Sequence, residues 1–178
     1  GCFFFPKEVE TAKGDQQTQL AAKKAMEKAT TFSHDLWAKV LKDTNKGGFV
    51  NYESLKGKRQ GLDNYLELLS KYSPKKTKTY FKNKNEELAF WMNAYNALVF
   101  QNVLNRYKPD FDVLSVQKNF FYQDRFNVGG ERYNLYGLEN DIVRAEYKDP
   151  RIHFALNCAS YSCPRLPEYA FSGDKVQA

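Results

Sequence analysis

The spacing of apolar residues predicts helices along the N-terminal half of the chain. Residues 15–30 are polar with an amphipathic pattern, which is typical of a surface helix. Ser33 is a suitable N-cap for a second helix, in which apolar residues recur every three to four positions. These positions are Leu36, Trp37, Val40 and Leu41. The pair Gly47–Gly48 is expected to end that helix, and further helical turns run on to a break at Pro74.

The strongest helical signal runs over residues 86–107. Its apolar residues cover almost the whole helix surface, which predicts a helix buried at the centre of the domain. A membrane span is disfavoured because Asn93, Asn96, Gln101 and Asn102 interrupt it. A buried amide without a partner costs about 1–3 kcal/mol. We therefore expect Asn93 and Asn96 to be inaccessible and to bond to other segments, either as supports for loop backbone or as site residues.

The C-terminal half has a different pattern. Residues 126–135 predict a β-hairpin that turns at Gly129–Gly130, and residues 138–146 predict a short helix. Residues 151–157 alternate between apolar and polar, which predicts a strand with Ile152, Phe154 and Leu156 against the core and His153 on the opposite face. The order of the predicted helices and strands along the chain indicates a single-domain α+β fold. In it, a helical half with a central buried helix precedes a hairpin, a short helix and a core strand that form a small sheet.

Composition limits the classes of function. The 178 residues suffice for one sizeable core, and 42% hydrophobic with 16% aromatic residues indicate a folded chain. We predict an N-terminal extension over residues 1–32 and one domain over residues 33–178. The net charge of +6 is modest, and its lysine-rich stretch at 74–85 lacks any nucleic-acid-binding motif, so no nucleic-acid partner is expected. We expect a monomer without a cofactor.

The N-terminus begins Gly1–Cys2, followed by three phenylalanines and Pro6. One interpretation is a mature bacterial lipoprotein in which Cys2 is acylated, and the other is a cloning remnant before an ordinary sequence. We favour the lipoprotein. It predicts an exported, periplasmic or cell-surface protein that contacts the membrane only through a lipid on Cys2.

The candidate chemistry lies mainly in residues 151–164, which contain His153, Asn157, Cys158, Ser160 and Cys163. In a cysteine-dependent hydrolase or transferase acting on an acyl or amide bond, either sulfur would be the nucleophile and His153 the base. Glu139 or Asn157 would orient that base, and Asn93, Asn96, Asn157 and Ser160 would bind substrate. An extended chain separates His153 from Cys158 by about 16 Å, so this dyad requires a bend. The spacing does not predict a metal site.

Two other functions stay open. The cluster is equally compatible with a non-catalytic module that binds a small molecule or peptide of unknown identity. A thiol–disulfide protein ranks third, because four residues separate Cys158 from Cys163 instead of the two in redox motifs. His34 lies in the first turn of the second helix, and we expect it at the surface.

Three motifs resemble the domain-of-unknown-function 547 family. They are residues 48–52 (GFVNY), residues 88–98 (LAFWMNAYNAL) and residues 149–164, within a similarity that spans about 33–171. The resemblance implies an uncharacterised family of exported bacterial proteins and plant intracellular proteins, without an established reaction. Asn140 stands where the family commonly has histidine. The family also usually continues with further helices, so we expect a shortened or incomplete domain.

The same resemblance affects the expected state of the sulfurs. Plant members would work in a reducing compartment, where a disulfide would not persist. A bridge across so short a loop would also contribute little stability. We therefore predict free thiols, with Cys158 the less exposed and Cys163 the more reactive.

Overall fold

The computed structural model describes residue 9 and residues 15–160 and 162–176. The expected acylation site at Cys2 lies outside these residues. Within them, all buried apolar side chains belong to one core cluster. The fold is a single-domain α+β fold, as predicted.

Four helices build the N-terminal half, and the predicted helical pattern is confirmed. Helices α1 (Gln16–Met26), α2 (Asp35–Thr44), α3 (Tyr52–Gly57) and α4 (Gln60–Lys71) follow in order. Strands β1 (Asn45–Lys46) and β2 (Phe49–Val50) form an antiparallel hairpin between α2 and α3.

The hairpin turns at Gly47–Gly48, whose φ angles of 60° and 85° suit glycine. These glycines therefore make a turn beyond the end of α2, whereas the sequence predicted them as the helix stop. Helix α2 also starts later than expected, because its N-cap is His34 and not Ser33.

Helix α5 (Lys84–Leu104) is the centre of the domain. The Asn83 side chain caps it by accepting a hydrogen bond from the Glu86 N–H at 3.0 Å. Every residue from 87 to 104 is buried, which confirms the prediction of a central buried helix. Helix α4 packs on one side of α5, and residues 135–147 pack on another.

The C-terminal half contains the predicted hairpin and short helix. Strands β3 (Phe126–Val128) and β4 (Glu131–Tyr133) pair antiparallel around Gly129–Gly130. Helix α6 (Leu135–Gly137), a π-helix (Leu138–Arg144) and helix α7 (Ala145–Tyr147) then form one continuous helical segment.

The predicted core strand at 151–157 is wrong, because residues 152–155 form the short helix α8 (Ile152–Ala155). Asp149 accepts a hydrogen bond from the Arg151 N–H at 2.9 Å, which favours a helical turn at this point. Ile152 and Ala155 then face the core three residues apart, and Phe154 is 70% exposed. In the described residues both sheets are two-stranded hairpins, so no sheet contains this segment.

Candidate ligand-binding groove

Residues 156–160 and 162–171, called the wall segment below, form neither helix nor strand. Two buried asparagines of α5 hold this segment in place. The Asn96 side chain donates to the Ala155 carbonyl at 2.9 Å and accepts from the Asn157 N–H at 3.0 Å. Asn93 makes the same pair of bonds to the backbone of Phe171, both at 2.9 Å. The prediction that both amides are buried and bonded to other segments is therefore confirmed.

The β1–β2 hairpin holds the middle of the wall segment. The buried Asn45 side chain donates to the carbonyls of Leu166 and Pro167 at 2.9 and 3.0 Å. Glu168 accepts a hydrogen bond from the Gly47 N–H at 2.6 Å. The side chains of Asn45, Asn93 and Asn96 thus fix the wall segment, which has no regular backbone hydrogen bonds of a helix or sheet.

A groove of about 520 Å³ lies between the wall segment, α5 and α8. This volume is in the range of sites for small ligands. Its apolar lining comes from all three elements: Leu88, Met92, Ile152, Ala155, Leu166 and Phe171. Phe154 and Tyr169 also line the groove and are 70% and 41% exposed, so its apolar surface continues outward into solvent.

Two arginines line the same groove and differ in their partners. Arg151 forms an ion pair with Asp149, and this hydrogen bonding lowers the pKa of the Asp149 carboxyl. Arg165 makes no ion pair with any described residue, and its guanidinium lies 4.7 Å from the centre of the Phe49 ring. A Cβ on Gly48 would come within 2.5 Å of the Arg165 side chain, so glycine is required for this close approach. Arg165 is therefore a positioned cation without an ion-pair partner among the described residues, in a groove that the carboxylates of Asp149 and Glu168 also line.

The structure does not assemble the predicted base and its orienting carboxylate. His153 is exposed, and among the described residues its ring forms no side-chain hydrogen bond or ion pair; the ring of the neighbouring Phe154 lies 5.3 Å away. Glu139 accepts a hydrogen bond from the Tyr95 hydroxyl at 3.3 Å and pairs with Arg144 at 2.7 Å. Neither His153 nor Glu139 lines the groove.

The predicted free thiols are wrong, because Cys158 and Cys163 form a disulfide with their Cα atoms 6.0 Å apart. The Asn157 side chain closes this loop by donating to the Pro164 carbonyl at 2.9 Å and accepting from the Ala159 N–H at 2.9 Å. Within the loop the hydroxyls of Ser160 and Ser162 are 3.1 Å apart. In this state neither sulfur is available as a thiolate nucleophile.

His34, expected at the surface, is instead part of an aromatic cluster. Its Nδ1 lies 2.9 Å from the Tyr65 hydroxyl, and its ring centre is 5.0 Å from that of Phe32. Burial lowers the pKa of His34 to about 3. The sequence could not show this environment, since Tyr65 and Phe90 approach His34 only in the folded chain.

Two general findings limit the chemistry of the described residues. They contain no group of three or more histidine, cysteine, aspartate or glutamate side chains placed to hold a metal ion. They also contain no helix with the length and apolar character needed to cross a membrane.

The fold and groove together define a small α+β domain with one groove beside its central helix. Comparison with known families gives its membership. The family described as "Protein of unknown function, DUF547" matches residues 80–178, which is more than half of the chain. The chain therefore belongs to this family, and the resemblance seen in its sequence is confirmed. No curated protein and no solved structure matches it.

Proposed function

We propose that this chain is a non-catalytic binding module whose groove takes an apolar peptide segment that carries a carboxylate. The observation that carries the proposal is the combination of an apolar groove with the unpaired, stacked guanidinium of Arg165. Apolar side chains of the partner would fill the groove, and its carboxylate would meet Arg165. Arginine suits this role because its planar guanidinium can donate one hydrogen bond to each oxygen of a carboxylate.

The exposed rings favour a peptide over a small molecule. Phe154 and Phe49 are 70% and 62% exposed, and both extend apolar surface beyond the cavity. A small molecule confined to the cavity would leave these rings in water, whereas a peptide would cover them. Exposed aromatic side chains at a groove are typical anchor points of protein interfaces.

The proposal is tested with 1-anilinonaphthalene-8-sulfonate, which combines an apolar body with an anionic group. We expect Arg165→Gln to weaken its binding about fivefold or more, as for the loss of one charge-assisted hydrogen bond. Lys118→Gln removes an exposed cation far from the groove and is the matched control. Equal binding by the two variants would refute the role of Arg165.

A second experiment tests the peptide itself. An N-acetylated, C-terminally amidated leucyl-phenylalanyl-glutamate peptide should displace the dye, and its glutamine analogue, which carries no carboxylate, should displace it less. Phe154→Ala should weaken the peptide more than the dye, because the ring lies beyond the cavity. Leu114→Ala removes a similarly exposed apolar side chain elsewhere and serves as its control. Equal displacement by both peptides would contradict the proposal.

The disulfide supports a second candidate, a thiol–disulfide exchange protein. It also favours the exported location expected from the N-terminus, since disulfides persist in oxidising compartments. Cysteine-dependent hydrolysis or transfer stays a prediction for the reduced chain only, because a disulfide offers no thiolate nucleophile. Equilibration of Cys158–Cys163 with glutathione buffers separates these cases. A structural bridge stays oxidised across the buffer range, whereas an exchanging one is reduced within it.

A further inference from the structure

His34 lines two further cavities; the smaller shares no lining residue with the groove, and the wider one shares Phe171 with it. The smaller cavity has a volume of about 210 Å³, which suits a ligand of one aromatic ring. A wider cleft adjoins it and shares four lining residues with it, so the cavity has an open approach. These shared residues are Thr31, Phe32, His34 and Ser172.

The hydrogen bond to Tyr65 decides which nitrogen of His34 carries the proton. Tyr65 is fully buried, and burial raises the pKa of its hydroxyl well above the usual value, so the hydroxyl keeps its proton. If Nδ1 donated to that hydroxyl, the hydroxyl hydrogen would lack an acceptor in a dry site, which is costly. Tyr65 therefore donates to Nδ1 of a neutral imidazole, and the imidazole proton lies on Nε2.

Nε2 is free to donate to a ligand. It has no hydrogen-bond partner among the residues that the structure describes. It is also not among the buried polar atoms without a partner, so it is accessible from the cavity. Because Nδ1 faces the buried Tyr65 and His34 lines both cavities, we place the accessible Nε2–H at the cavity surface.

The other lining residues define the chemistry of a ligand. Phe32, Tyr80 and Phe81 supply aromatic walls to the smaller cavity. Among the described residues, the charged groups that line this cavity are Glu86 and Asp174, and both are acidic. One oxygen of Glu86 already accepts a hydrogen bond from the Lys82 N–H at 2.7 Å. Within the smaller cavity these two carboxylates disfavour an anionic ligand and favour one with N–H groups, whereas Lys24, Lys28 and Lys175 line only the wider cleft.

We propose that this cavity binds a small planar molecule that carries an uncharged amide. The aromatic body of the ligand would pack between the aromatic walls, and its carbonyl would accept the Nε2–H of His34. The amide N–H groups would face the carboxylates of Glu86 and Asp174. This site is separate from the groove, so the proposal stands or fails independently of the peptide partner.

Benzamide is the probe, and the ring nitrogens of His34 report its binding in ¹H–¹⁵N NMR spectra of the full chain. In the wild type we expect the Nε2 signal to shift with benzamide, and benzoate to bind about tenfold more weakly because of its charge. His34→Phe keeps an aromatic ring but removes the donor, and should weaken benzamide about fivefold. His153→Phe alters the exposed histidine and should leave affinity unchanged.

The wild-type comparison needs no substitution, so it decides the question even if His34→Phe fails to fold. Absence of any benzamide-dependent shift at His34 would overturn the proposal. Benzoate binding as tightly as benzamide would overturn it as well, because the carboxylates would then play no part. Equal affinity of wild type and a folded His34→Phe variant would show that Nε2–H is not the donor.

Discussion

Replacement of Asn96 by leucine tests whether buried amides hold the wall segment in place. Leucine branches at the same carbon as asparagine and is larger, so the change leaves no cavity and removes two hydrogen bonds. The Ala155 carbonyl and the Asn157 N–H lose their partners at 2.9 and 3.0 Å. Each unpaired buried group costs about 1–3 kcal/mol, which gives about 2–6 kcal/mol for both. Because the Asn157 N–H is only partly buried and can reach water, we expect about 3 kcal/mol.

Urea unfolding followed by far-ultraviolet circular dichroism measures this loss, and amide hydrogen exchange locates it. The Asn157 N–H should exchange faster in Asn96→Leu, whereas amides within α4 should change only with global stability. Asn140→Leu is the matched control, because Asn140 bonds the Tyr136 carbonyl at an exposed position and should cost less than about 0.5 kcal/mol. A free energy of unfolding within about 0.5 kcal/mol of wild type, the usual range of a single surface substitution, would refute the reasoning.

Three further predictions concern the core, the half-buried His34 and the disulfide. Trp91→Ala should lower the free energy of unfolding by about 3–5 kcal/mol, since the ring is fully buried; a wild-type-like melting curve would contradict this. Burial lowers the pKa of His34 from 6.5 to about 3. Between these two pH values the folded chain therefore binds fewer protons than the unfolded chain. Stability should therefore fall as pH drops below 6.5, by at most about 1.4 kcal/mol per pH unit, and His34→Phe should lack this slope in urea titrations. Replacement of Cys158 and Cys163 by serine should cost about 2 kcal/mol, and these two sulfurs should resist alkylation in the unreduced wild type; alkylation of both without reductant would refute the bridge.

The sequence alone determined those elements whose residue pattern is compatible with only one local structure. Residues 86–107 are apolar on all sides, and only the centre of the domain can accept such a helix. The burial cost of an amide then required partners for Asn93 and Asn96, and the structure supplies them. The glycine pair at 129–130 predicted the β3–β4 hairpin because both positions need positive φ angles.

Tertiary structure decided the features in which local patterns were ambiguous or partners were distant. The apolar positions of residues 152–156 fit either a strand or a helical turn. In the described residues no strand lies beside them to pair with, and residues 152–155 form a helix. His34 looked like a surface residue because Tyr65 and Phe90 are far away in the sequence. No pattern in the sequence indicated Arg165, since its role depends on the ring of Phe49 in β2, which approaches it only in the folded chain. Local periodicity records which side of an element is apolar, but only packing brings together groups that lie a hundred residues apart, and both candidate sites are made of such groups.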